Sequence, residues 1–222
     1  MRVLFAVATM LALTAAAPVK DWRLTTGTSS VGGFTVGNPA ARVKLTEYLS
    51  FTCSHCGEFV AESKAGLHDA MVRDGLVATE TRSAARDPYD LAAWVVARCG
   101  GPKRFHSLST AIFAQREAWT TKGEAYAQAN LAAIKAAPQL TQIRRIADHS
   151  GLSAIAARAG VTPAALNQCF ASDANHLKPI LAMTEAAFAK LPGTPGFEIN
   201  GQLVDGHDWA GLEPKLRAAG AR

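Results

Sequence analysis

The sequence predicts an α/β protein in which a small sheet is interrupted by an all-helical insertion. Three observations carry this. Strand-like periodicity flanks a long stretch that has none, helix start and stop signals fill that stretch, and Asn200-Gly201 gives a strong hairpin signal near the end. The 222-residue chain is 49% hydrophobic and 18% charged, which supplies a core and argues against disorder.

The elements follow in order. Arg2, the apolar run Val3 to Leu13 and the small residues Thr14-Ala15-Ala16-Ala17 have the three-part layout of a secretory signal peptide over residues 1–17. Pro18 disfavours a cut directly after Ala17, so cleavage is placed near Ala16. The run is shorter than the roughly 20 residues a membrane span needs; an uncleaved anchor is the competing reading. Residues 18–33 are polar and rich in Gly, Ser and Thr, and predict a flexible lead-in. Asn38-Pro39 marks a turn. Val43, Leu45 and Leu49 then alternate with Lys44, Thr46, Tyr48 and Ser50 as in a strand, with Glu47 on the apolar side. After Cys53 the spacing becomes helical through Phe59, Val60 and Leu67 towards Met71, and Leu76 to Thr81 reads as a second strand.

Asp87-Pro88 opens the insertion with an N-cap followed by proline at the first helical position. One helix presents Leu91, Trp94, Val95 and Cys99; further faces hold Phe105, Leu108 and Ile112, then Leu131 and Ile134, then Leu140, Ile143 and Ile146. Thr162-Pro163 starts a short helix with Leu166, Cys169 and Phe170. The helical domain is therefore placed at 87–171, between two parts of one sheet domain at 34–86 and 172–222. A helix from Asp173 to Lys190 carries Ile180, Met183 and Ala187. Strands Gly196 to Ile199 and Gln202 to Val204 flank the hairpin turn, and Asp208 caps a last helix.

The formal net charge is +5. Its basic residues, among them Lys44, Arg73, Arg82, Arg104, Arg144 and Arg145, are scattered and form no stripe, which argues against a nucleic-acid partner. No later stretch is apolar and long enough to span a bilayer, so no stable membrane insertion is expected after cleavage of the signal.

The chemistry concentrates in Cys53-Ser54-His55-Cys56. Two cysteines at this spacing, between a strand and a helix, form a small reversible disulfide ring. The helix start offers unpaired N–H groups and a positive dipole end, both of which stabilise an anion at Cys53. A thiolate so placed falls from a pKa of about 8.5 to somewhere near 3.5–7.5. Cys56, one turn on, can resolve a mixed disulfide. His55 in the first helical turn would donate to Cys53 or carry charge beside it, stabilising the reduced form and making the disulfide more oxidising. Such exchange runs on sulfur alone, with no cofactor and no metal. The same spacing also serves zinc, and a periplasmic metal-binding protein using Cys53, His55 and Cys56 stays open, as does an inert disulfide; zinc usually asks for a second ligand pair.

In an oxidising compartment the remaining cysteines, Cys99 and Cys169, read as a structural disulfide, with two buried free thiols as the alternative. Gly193-Thr194-Pro195-Gly196-Phe197 precedes the hairpin, and Pro195 is a candidate cis proline that would hold the Thr194 backbone open to an extended peptide. An ordinary trans turn is the other reading. The other histidines (His68, His106, His149, His176 and His207) are isolated and read as surface or capping residues.

The run Glu47-Tyr48-Leu49-Ser50-Phe51-Thr52-Cys53-Ser54-His55-Cys56, the helical block, and Gly193-Thr194-Pro195 through Asn200-Gly201 together resemble the DsbA family of thiol:disulfide interchange proteins. The resemblance covers nearly the whole chain after the signal segment. It implies a thioredoxin fold with an inserted all-helical domain, and an enzyme that oxidises reduced or unfolded exported proteins in the periplasm. A quinone-linked membrane partner would renew its disulfide. By position, Cys53 corresponds to the attacking cysteine, Cys56 to the resolving one, His55 to the tuning residue and Thr194-Pro195 to the cis-proline loop. Glu47 corresponds to a semi-buried acid that helps move protons for the buried cysteine; on its own, an acid reaching solvent from a strand end is the alternative. Ser54 departs from the proline of the best-known members, which leaves a reductase or isomerase role open.

Overall fold

The computed structural model describes residues 20–173 and 175–222, so the signal-peptide segment lies outside the described residues. A six-stranded sheet runs in the order β1-β2-β4-β3-β5-β6, where β1 is Thr26–Thr28, β2 Phe34–Gly37, β3 Val43–Leu49, β4 Val77–Ser83, β5 Gly196–Ile199 and β6 Gln202–Val204. Only β3 and β4 run parallel, joined by a crossover through α1 (Ser54–Ser63) and a π-helical continuation over Lys64–Val72. The other neighbours are antiparallel. Central β3 is paired on both edges and is buried at every position except Lys44, which is why an acid at Glu47 has no route to bulk water along the strand.

Residues 20–33 depart from the flexible lead-in that their composition predicts. Trp22–Leu24 forms a 3-10 turn capped by Asp21, and β1 pairs with β2 in register Thr26↔Val36. The stretch is held by long-range backbone pairing, to which polar Thr and Gly residues contribute as well as apolar ones. β2 in turn pairs with β4, Phe34 opposite Thr81, and the Phe34 ring stacks on Phe105 at 4.0 Å.

Seven helices, α2 (Pro88–Cys99), α3 (Gly101–Ala114), α4 (Arg116–Ala129), α5 (Leu131–Lys135), α6 (Gln139–Ser150), α7 (Leu152–Arg158) and α8 (Pro163–Cys169), fill the stretch between β4 and the return to the sheet. α2 is their axis: Asp87 caps it by accepting from Asp90 N, and Ala92 to Ala97 are fully buried. Phe51 joins it to the sheet, packing against Trp94 and Phe113 with centroids 5.1 and 4.7 Å away. α9 begins at Leu177, later than the spacing predicts, and ends at Phe188. At the hairpin Asn200 and Gly201 both take positive φ, 51° and 81°, the conformation a tight two-residue hairpin turn demands. α10 (Trp209–Ala218), capped by Asp208, lays Trp209 against the π-helical segment; a side chain at Gly66 would meet that ring at 2.5 Å. Among the described residues no helix is long and apolar enough to cross a membrane.

Candidate active site

β3 ends at Leu49, and the chain turns through Ser50, Phe51 and Thr52 into α1. Cys53 N donates to Ser50 O at 3.2 Å, which leaves Cys53 in an extended conformation as the N-cap of α1. Cys56, one turn on, is fully buried, and its sulfur accepts from Ser50 N at 3.4 Å. Neither cysteine is in a disulfide. Across from them the Thr194–Pro195 peptide is cis, and the Cys53 thiol donates to the Thr194 carbonyl at 3.4 Å. Beside this junction lies an open groove of about 580 Å³ lined by His55, Glu58, Phe59, Glu62, residues 192–194, His207 and Asp208.

The two sulfurs are driven apart in acidity. A hydrogen bond from Cys56 is the largest cause that holds the Cys53 thiol down at about 4; Thr194, the Cys56 backbone N–H and the Arg86 charge add to it against the cost of burial. Burial, then the adjacent Cys53, pushes Cys56 far above the ordinary thiol range. One sulfur is an anion at neutral pH and the other keeps its proton. That division suits a couple in which Cys53 forms and releases mixed disulfides while Cys56 breaks them from within.

His55 makes no hydrogen bond to the Cys53 sulfur. It is exposed in the first turn of α1 and makes no hydrogen bond or ion pair among the described residues, so it faces the groove instead. Glu47 is buried, 8% exposed, and burial raises its carboxyl to about 7 against a single hydrogen bond from Thr81 Oγ1 at 3.2 Å. It opens onto a cavity of about 290 Å³ that also takes in Leu67, Phe105, His68 and His106. The last two rings stack at 3.9 Å, so neither is isolated as its sequence context suggests.

Three neighbours of the site escape sequence reasoning. Asp90, fully buried at the start of α2, accepts from Ser50 Oγ (2.5 Å), Phe51 N (2.8 Å) and Arg86 N (3.1 Å), and burial raises it to about 7 despite these donors. Arg86 reaches the hydroxyls of Ser50 and Thr52. His207 Nδ1 lies 3.0 Å from the Pro195 carbonyl and ties the loop before α10 to the cis peptide. Asp87-Pro88-Tyr89-Asp90 looks like any helix start, so only the burial of α2 could have marked Asp90.

Away from the site, Cys99 and Cys169 are joined in a disulfide between the C-terminal ends of α2 and α8, with Cα atoms 5.8 Å apart. Among the described residues no group of three or more His, Cys, Asp or Glu side chains is arranged to hold a metal ion.

A parallel β-α-β unit that presents two cysteines of opposed acidity at a helix start, facing a cis-proline loop, defines a thioredoxin-fold thiol–disulfide redox protein. The thioredoxin family model matches residues 29–216, and the chain belongs to that family. A crystal structure of a protein-disulfide isomerase from Novosphingobium aromaticivorans is 33% identical, with a TM-score of 0.70 over 83% of this chain and 95% of that one. Wolbachia pipientis alpha-DsbA1, 18% identical, shares the fold with a TM-score of 0.66 over 86% of this chain and 92% of its own. A relative in Rickettsia bellii named "Putative protein-disulfide oxidoreductase" is 26% identical over 175 residues, 78% of this chain. This chain spans 58% of that relative's length, and 52% of a similarly named relative in Rickettsia conorii.

Proposed function

We propose that this chain is an exported, periplasmic thiol–disulfide oxidoreductase that donates the Cys53–Cys56 disulfide to reduced exported proteins. The observation that carries the reading is the opposed acidity of the two sulfurs. A Cys53 thiolate held down at about 4 stabilises the reduced pair, and a couple with a stabilised reduced form gives its disulfide away. In the reaction a substrate thiolate attacks Cys53 Sγ of the disulfide. The Cys53–Cys56 bond breaks, a mixed disulfide forms, and Cys56 takes the electron pair and a proton, as its buried setting demands. A second substrate thiolate then attacks the mixed disulfide at the substrate sulfur and expels Cys53 as a thiolate. The substrate leaves oxidised and the pair is left reduced. Thr194, beside Cys53 and ahead of the cis proline, supplies the backbone on which an extended substrate can pair.

Renewal of the disulfide falls to an external oxidant, for which a quinone-linked membrane partner is our proposal. Equilibration with glutathione tests the direction: a reduction potential near −120 mV supports oxidation, and one near thioredoxin's value of about −270 mV overturns it. Isomerisation is the second reading, favoured by the name of the Novosphingobium relative. It predicts recovery of a scrambled disulfide protein by the reduced chain without net oxidation. Stoichiometric metal in the purified protein would replace both readings with a metal-binding one.

A further inference from the structure

Outside the residues already assigned, one charged side chain is hydrogen-bonded to the residue next to Cys53 and touches no carboxylate directly. Arg86 sits in the loop between β4 and α2, is exposed, and makes no ion pair among the described residues. It is nevertheless held in place. Its Nε donates to Ser50 Oγ at 3.0 Å, its Nη2 to Thr52 Oγ1 at 3.3 Å, and its backbone N to Asp90 at 3.1 Å.

The polarity of these bonds is fixed by hydrogen count. Each hydroxyl has one hydrogen. Ser50 gives its hydrogen to Asp90 Oδ2 at 2.5 Å, and Thr52 gives its own to Asp87 Oδ2 at 2.7 Å. Both hydroxyls thereby turn their lone pairs to the guanidinium, whose fork is rigid and donates only. Two carboxyl groups thus fix the cation through intervening hydroxyls, and Thr52 is the residue next to Cys53.

We propose that Arg86 is a positioning residue for the Cys53 thiolate, a fixed positive charge clamped on Ser50 and Thr52 that supplies the electrostatic tuning expected of His55. The proposal rests on the oxidoreductase reading of Cys53 and adds a residue to it. Because the guanidinium is held by neutral hydroxyls, its charge is not cancelled at contact, and the Thr52 clamp keeps it within one residue of Cys53 along the chain. The charge of Arg86 adds to the causes that lower Cys53, behind the hydrogen bonds with Cys56 and Thr194. The carboxyl groups of Asp87 and Asp90, one hydroxyl away from the guanidinium, and Glu58, Glu62 and Asp208 along the groove oppose this effect.

The test compares Arg86→Gln and Arg86→Lys with the unaltered full chain. It reads the Cys53 titration by thiolate ultraviolet absorbance, the reduction potential against glutathione, and the melting temperature. Arg86→Gln should raise the Cys53 pKa by about one unit. The corresponding tenfold change makes the disulfide about 30 mV less oxidising. Arg86→Lys keeps the charge and should recover more than half of both shifts, and high salt should shrink the Arg86→Gln difference. An unshifted titration in Arg86→Gln, even with a lowered melting temperature, would reduce Arg86 to a structural role and overturn the proposal. So would a lysine variant that shifts as far as the glutamine one. A thioredoxin-like potential in the unaltered chain would instead sink the oxidase reading and leave the Arg86 comparison standing.

Discussion

Cys53 and Cys169, one sulfur from each pair of this molecule, are almost equally hidden, yet the two differ in their bonding and electrostatic setting. Cys53 is 4% exposed and Cys169 6%, so accessibility alone does not separate the reactive sulfur from the structural one. Cys53 stands at a helix start, with a hydrogen bond from Cys56, the Thr194 loop and the Arg86 charge all favouring its anion. Cys169 sits at the far end of α8, bonded to Cys99 across 70 residues, in the same apolar cluster as Cys53 but with its sulfur tied up in a disulfide. Electrostatic surroundings make the first pair exchange, and chain separation makes the second a staple.

The largest test of that contrast is removal of one sulfur from each pair. Cys53→Ser should abolish oxidation of a reduced peptide outright, and residual turnover above background would remove Cys53 from its role. The Cys99→Ser/Cys169→Ser double variant should keep the Cys53 titration and the potential. Its unfolding free energy should fall by about 4 kcal/mol, the chain-entropy value for a closed loop of this size, read by urea denaturation.

Smaller effects come from protons. Glu47 is raised to about 7 in the folded chain, against about 4.3 unfolded. The stability it contributes is complete below pH 4 and is lost as pH rises through 7. Glu47→Gln should therefore flatten the fall in stability between pH 5 and 8 by about 2–3 kcal/mol, measured on the oxidised protein; an unchanged profile would mean Glu47 titrates normally. The reduced pair carries one thiolate and one thiol between pH 5 and 8, so reduction takes up two electrons and one proton. The potential should then move by about 30 mV per pH unit. A slope twice as steep would show that Cys53 keeps its proton, as an unperturbed thiol would.

What the sequence makes legible is what neighbours in the chain decide. β3, the Cys53–Cys56 run, the Asn200-Gly201 hairpin and the Asp87 and Asp208 caps rest on contacts within a few residues, and each is found where its signal lies. Glu47 stands out because it interrupts an apolar face of its own strand. β1 and β2 do not, since polar Thr26 and Thr28 and the short run from Phe34 become strands only by pairing with each other and with β4. Asp90 is hidden for the same reason. An acid in the first turn of a helix is ordinary, and its burial depends on Ser50 and Phe51, about forty positions earlier. His55 shows the converse: the right residue type in the right turn, directed at the groove.

α2 has a consequence for how such a protein can diversify. Asp90 at its first turn grips the loop before Cys53, while the groove is built from α1 and from residues 192–194, 207 and 208 on another part of the chain. One support of the couple, the Asp90–Arg86 segment, is therefore separate from the groove, while Thr194 belongs to both. Substitutions near 86–90 would reset the voltage of the couple without altering the groove lining, whereas a change at Thr194 would reach both, since it lines the groove and also lowers Cys53.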